Sequence, residues 1–152
     1  MTALLTHRRN LTTPMPVPEW PDGISLATFS EDMAPALHAL MAAGYGPGEG
    51  DVEAFEQWWP ALLNDREFDP ALVFVARASD GAYAGVCQCW TSAFIKDLVV
   101  AKAFRGRRIG EALMLTAFEA FRQRGADWLD LKVLPGNVRA LRLYRHLGMV
   151  AA

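Results

Sequence analysis

Only two cysteines and three histidines occur among the 152 residues, which leaves little material for a disulfide framework or a metal centre. Cys87 and Cys89 stand two apart in a predicted strand, so their side chains share a face. They read as reduced, half-buried thiols of a cytoplasmic protein rather than as a bridge. His7, His38 and His146 are scattered without ligand spacing, and no metal is expected. No apolar run approaches the roughly 20 residues that span a bilayer, so no membrane partner is expected. At the N-terminus Arg8 and Arg9 follow the short apolar patch, the wrong order for a secretory signal. Nucleotide signatures are missing too: no Gly-Lys-Ser/Thr closes a P-loop, and no three spaced glycines mark a dinucleotide fold. What remains, 52% hydrophobic and 21% charged, is the composition of one folded domain with a sizeable core.

Charge is unevenly spread. Residues 1–92 carry 12 Asp/Glu against 4 Lys/Arg, and residues 93–152 carry 5 against 11. The basic second half suits an anionic ligand and the acidic first half a cationic one. Nucleic acid is disfavoured, because the net charge is −2 and the basic groups gather around one helix start.

Residues 12–22 are Pro-rich and predict an extended connector. A short strand is expected at Ile24–Phe29, then a helix from Ser30 or Glu31 to about Ala43 with Leu37, Leu40 and Met41 inward. Gly44 to Gly50 reads as a loop, after which Asp51 is expected to cap a helix carrying Phe55, Trp58 and Trp59 to about Leu63. Three strands follow, Leu72–Ala76, Tyr83–Trp90 and Ala93–Val100, with Asp80-Gly81 turning the first hairpin. Arg108–Arg124 predicts a long amphipathic helix ended by Gly125, Trp128–Val133 a strand, and Asn137 caps a last helix to Leu147. This order predicts an α/β fold: a mixed, mostly antiparallel central sheet flanked by helices.

Two segments carry chemistry. In the first, Leu98 to Gly110, a buried strand enters a basic turn and a helix opens at once. Unpaired amides and the helix dipole there form an anion cradle, to which Arg105, Arg107 and Arg108 add charge. In the second, Asn137 and Tyr144 lie seven residues apart, two turns along one helix face, and can point into one cleft. Taken alone, the pair is equally an N-cap and a core aromatic.

Together these segments resemble the GNAT acetyltransferase superfamily. Arg105–Gly110 is similar to its Arg/Gln-x-x-Gly-x-Gly/Ala acyl-CoA turn, and residues 137–149 to its Asn…Ala…Leu-Tyr…Gly-Phe segment, with Met149 in place of Phe. Arg108 departs from the pattern, standing where Gly is usual. The resemblance covers roughly residues 20–150. It implies an N-acetyltransferase that moves an acetyl group from acetyl-CoA to a primary amine by direct attack in a ternary complex. The amine belongs to a small molecule or a protein. The alternative it leaves is an acyl-CoA-binding module with weak or no catalysis. By the same resemblance, backbone groups of Leu98, Val99 and Val100 hold the pantetheine and thioester carbonyl. Amides from Gly106 through Arg107, Arg108 and Ile109 to Gly110 take the pyrophosphate, with Arg105 beside them. Asn137 lines the CoA arm and Tyr144 is the acid for the leaving thiolate.

The acceptor is expected between the N-terminal helices and the strands, near Tyr45, Glu49, Trp58 and Trp90. The base stays open among Glu49, Asp51, Glu53 and a water chain. Family members that carry a strand Glu have it where Phe94 stands here, and Asp97, on the opposite alternation, reads as structural. Residues 1–19 are read as an N-terminal strand and Pro-rich connector ahead of an acyltransferase domain at 20–152. Members of the superfamily usually run two strands further than Val150-Ala-Ala152. Residues 4–11 are therefore expected to pair with strand 128–133, replacing a C-terminal strand, within the chain or swapped in a homodimer.

Overall fold

In a computed structural model, residues 3–46 and 51–152 are described. Seven strands form one sheet: β1 (Leu5–Asn10), β2 (Ile24–Thr28), β3 (Phe68–Ala78), β4 (Tyr83–Trp90), β5 (Phe94–Val100), β6 (Trp128–Val133) and β7 (Val150–Ala151). Their spatial order is β2-β3-β4-β5-β6-β1-β7. Neighbours are antiparallel except β5 and β6, which run parallel. The helices are α1 (Ala34–Gly44), α2 (Phe55–Asn64), α3 (Ile109–Gln123) and α4 (Val138–His146). No described helix is long and apolar enough to cross a membrane.

The sheet separates two cores. Ile109, Leu113, Ala117 and Phe121 recur every four residues along α3, which puts them on one face. With Leu141 and Tyr144 of α4 they pack against Phe74, Cys87 and Leu131 of the strands. On the other side, Leu37 and Met41 of α1 and Trp58 and Leu62 of α2 cover Val73, Val75, Val86 and Val99. Strand alternation assigns each β-branched side chain to one layer or the other.

The expected N-terminal pairing is present within the chain. β1 runs antiparallel to β6 from Leu5↔Val133 to Asn10↔Trp128. Arg8 reaches across it to Asp130 through two hydrogen bonds of 2.8 and 2.9 Å. The buried Arg9 donates to the Leu147 carbonyl at 3.0 Å, tying β1 to the end of α4. Two local boundaries differ from expectation. The second helix starts at Phe55 and not at Asp51; the Glu53 carbonyl is instead hydrogen-bonded to His38 Nε2 at 2.6 Å, which holds the approach extended. Strand β3 begins at Phe68, and its ladder with β4 is interrupted between Phe68 and Val73. Pro70 lies in that gap and has no N–H to contribute. Outside β1, Val150 and Ala151 pair with Arg8 and His7, so β7 forms the edge of the sheet.

Candidate active site

Strands β5 and β6 stay in register for only two pairs, Phe94↔Asp130 and Ile95↔Leu131, and then separate. Beyond this fork the β6-facing edge of residues 96–100 has no ladder partner. The gap is a cleft of about 580 Å³ that reaches both faces of the sheet. Asn137, Ala140, Leu143 and Tyr144 line it from the α3/α4 side, Gly44, Tyr45 and Asp97 from the α1 side.

A β-bulge sets which side chains reach the fork. Gln88 pairs with Asp97 and Cys89 with Ile95, so Lys96 is an extra residue in β5. Alternation slips by one across it. Ile95 packs in the α3/α4 core, whereas Val99 packs in the α1/α2 core. Asp97 is turned to the side of Val99 and of its cross-strand partner Gln88.

On the α3/α4 side, the turn before α3 passes through left-handed backbone at Gly106 (φ 81°) and Arg108 (φ 64°). That conformation suits Gly and strains any residue with a Cβ. The Ala112 N–H returns to the Arg108 carbonyl, no side chain caps α3, and the amides of residues 109–111 precede the first helical bond. Gly110 is packed so that an added Cβ would meet Leu143 at 3.5 Å and Val100 at 3.6 Å, ordinary contact distances. Asn137 Oδ1 accepts from the Ala140 N–H at 3.2 Å, capping α4 as expected. The Tyr144 hydroxyl makes no hydrogen bond among the described residues. Burial, and secondarily the neighbouring Cys87, push its pKa up to about 12, so it stays protonated at neutral pH.

The three arginines of the turn have separate partners. Arg105 donates to the Gly44 carbonyl at 2.8 Å and to the Val100 carbonyl at 3.3 Å, locking the end of α1 to the end of β5. Arg107 donates to the Asp22 carbonyl at 3.0 Å, with its guanidinium 5.8 Å from the Phe104 ring centroid. Arg108 pairs with Glu111 at 2.9 Å, and Glu111 also meets His146 Nε2 at 2.9 Å.

On the α1 side, Tyr45 caps the end of α1 and donates its hydroxyl hydrogen bond to Asp97 Oδ1. Burial, then the Asp97 carboxylate, raise the Tyr45 pKa far above the usual tyrosine range. Lys96 Nζ lies 3.2 Å from Asp97 Oδ2.

With this geometry in place, the sequence profile of the Acetyltransferase (GNAT) family matches residues 33–149, most of the chain. The chain belongs to the GNAT acetyltransferase family. Mycothiol acetyltransferase of Thermobispora bispora is 34% identical over 96% of this chain and 53% of its own length. Streptothricin acetyltransferase of Streptomyces lavendulae is 40% identical over 49% of this chain and 42% of its own. Among solved structures, a GCN5-related N-acetyltransferase from Sphaerobacter thermophilus superposes with a TM-score of 0.84 at 30% identity. It covers 98% of this chain and 48% of that one. The GNAT domain described here thus spans about half the length of the mycothiol acetyltransferase relative.

Most of the residues predicted for the donor side of this GNAT domain do converge. Leu98, Val99, Val100, Arg105, Gly106, Arg108, Ile109, Gly110, Asn137 and Tyr144 all line the cleft. Arg107 does not; its partners hold it on the outside of the turn. Of the residues expected at the acceptor, Tyr45 lines the cleft, whereas Trp58 is a buried core residue whose ring lies tilted against His38, 5.3 Å between centroids. Trp90 packs against the α1/α2 core opposite Phe94, at the closed end of the β4–β5 ladder. Glu49 lies outside the described residues. Simple alternation puts Asp97 on the side of Ile95, whereas the bulge at Lys96 turns it to the α1 side and into the cleft.

Proposed function

We propose that this chain transfers an acetyl group from acetyl-CoA to a primary amine by direct attack within a ternary complex, in the cytoplasm. The observation that carries the reading is the forked cleft, with Tyr144 on one side of it and the α3 amides at its mouth, neither with a partner among the described residues. The cleft volume of about 580 Å³ suits a pantetheine arm and a small acceptor. The left-handed turn at Gly106 and Arg108 bares the α3 amides for a pyrophosphate. No cysteine, serine or threonine lines the cleft among the described residues, which favours direct transfer over a covalent acyl-enzyme.

Acetyl-CoA, when bound, supplies a thioester whose carbonyl carbon takes the amine. The unpaired edge of Leu98–Val100 would orient the arm and polarise that carbonyl. Asn137 and Leu143 would wall the arm against water. Tyr144, protonated and desolvated, would give its proton to the departing sulfur. The donor face and the acceptor face are opposite sides of one sheet, so the two substrates would meet at the fork without competing for space. Acceptors named for relatives and structural neighbours include mycothiol, streptothricin and an alanine of ribosomal protein S18. For this chain we propose an amine without narrowing it further.

Two measurements test the reading together: calorimetric titration of CoA, and release of free thiol from acetyl-CoA in the presence of amines. Binding with amine-dependent thiol release supports it. Binding without release, across a broad amine panel, would leave an acyl-CoA-binding module.

A further inference from the structure

We infer that Asp97 is the general base of this site, with Tyr45 as the residue that positions it. The inference rests on the acetyltransferase reading above and adds the group that removes the acceptor's proton.

Three acids line the cleft among the described residues: Asp51, Asp97 and Glu111. Glu111 is engaged by Arg108 and His146 at the start of α3, where a phosphate is expected. Asp51 is exposed. Asp97 alone is buried, 6% exposed, and it stands on the strand that forms the fork. A carboxylate taken out of water is costly unless it is hydrogen-bonded. Here one oxygen accepts from a neutral phenol and the other meets the ammonium of Lys96, whose side chain is 41% exposed. A carboxylate offers about four acceptor positions, so donors entering the cleft still find capacity.

The placement has a structural cause. Without the extra residue Lys96, position 97 would fall on the α3/α4 side with Ile95. The bulge turns it to the α1 side, opposite Tyr144 across the fork. Tyr45 cannot share the role of base, because its proton is held far above the usual range. Its fixed O–H instead directs Asp97 Oδ1. Among the described residues, the groups facing Asp97 are Tyr45 from the end of α1, Lys96 from its own strand and Gln88 opposite on β4, whose amide donates to the Cys89 carbonyl at 3.2 Å.

The protons balance. An ammonium reaching Asp97 transfers one proton to the carboxylate and attacks the thioester carbonyl as a free amine. Expulsion of sulfur takes the Tyr144 proton, and the nitrogen's second proton restores Tyr144 through solvent. The Asp97 proton returns to bulk water. One amide and one thiol form, and one proton is released.

Asp97→Asn and Tyr45→Phe test this with alaninamide, glucosamine and putrescine as acceptors. The expected result for Asp97→Asn is a fall in kcat of roughly 10²–10⁴-fold, with CoA affinity and melting temperature unchanged. The lost rate should return as pH rises, because hydroxide then supplies the free amine. Tyr45→Phe should retain a larger share of kcat. An unchanged kcat in Asp97→Asn overturns the inference. So does a loss that higher pH fails to repair and that travels with weakened CoA binding, the mark of a purely structural tie. Wild-type protein that binds acetyl-CoA yet acetylates none of the amines sinks the acetyltransferase reading and the inference with it. Wild-type protein that fails to bind acetyl-CoA likewise sinks the reading on which the inference rests, whereas an active wild type beside an equally active Asp97→Asn sinks the inference alone.

Discussion

Gly44 and Val99 are in such close approach that a Cβ on Gly44 would stand 2.2 Å from Val99 Cγ1. The last turn of α1 therefore lies directly on the strand that forms one wall of the cleft. Arg105 locks the same junction through the Gly44 and Val100 carbonyls. Gly44→Ala should push α1 off β5 at a cost of roughly 1–3 kcal/mol, the range for overpacking a fitted interior. Denaturant unfolding reads the loss, and acceptor KM should rise with it because Tyr45 is the next residue. By contrast, Gly110→Ala meets its neighbours at ordinary distances and should leave stability nearly unchanged.

Tyr144→Phe separates the two readings of this tyrosine. Its hydroxyl makes no hydrogen bond among the described residues, so the variant should fold and melt like the parent. As the acid, its loss should lower kcat by roughly 10²–10⁴-fold while CoA affinity stays intact. Stopped or steady-state thiol-release assays give kcat, and a normal value would return Tyr144 to a packing role.

The local signals that the sequence carries strongly are those the fold obeys. Asn137 caps α4, Gly125 and Gly148 follow helix ends in left-handed backbone, and the apolar spacing of α3 places it on the sheet. The β1–β6 pairing was also legible, since residues 4–11 precede a connector long enough to let them reach the edge of strand 128–133. Strand register was not. A bulge such as that at Lys96 depends on how β4 and β5 fit together, and no residue type announces it. The fates of Arg105 and Arg107 were hidden for the same reason: their partners, the Gly44 and Asp22 carbonyls, lie far away in sequence.

Alkaline pH should weaken the folded state. Burial raises the pKa of Tyr144 from the ordinary value of 10.0 to about 12, and Tyr45 is raised further in the same direction. Folded protein then holds protons that unfolded chain releases. Their stabilising effect is complete below pH 10 and declines as pH rises from 10 towards 12. Tyrosinate absorbance should show Tyr45 and Tyr144 titrating late, with unfolding. Tyr144→Phe should flatten the decline in stability, and an identical pH dependence in the two proteins would contradict the assignment.

Arg108 raises a sharper question, because it occupies a position where left-handed backbone calls for glycine. Its φ of 64° costs an L-residue roughly 1–2 kcal/mol. Its guanidinium is held by Glu111 at 2.9 Å, on a side chain that is 72% exposed. Two roles follow, and they predict opposite results. If Arg108 serves the pyrophosphate with its charge, Arg108→Gly should weaken CoA binding, more so at low salt. If the phosphates are held by backbone amides, the variant should bind CoA as well as the parent or better, since the Cβ at the turn is gone. The ion pair with Glu111 favours the second outcome, because the guanidinium is already engaged beside the α3 amides. Stability should change little, as relief of the strained φ offsets the added freedom of glycine in the unfolded chain. Calorimetry of CoA binding to both proteins at two salt concentrations decides the matter: a loss of affinity that shrinks with salt assigns the charge to Arg108, and an unchanged constant assigns the site to the amides of residues 109–111.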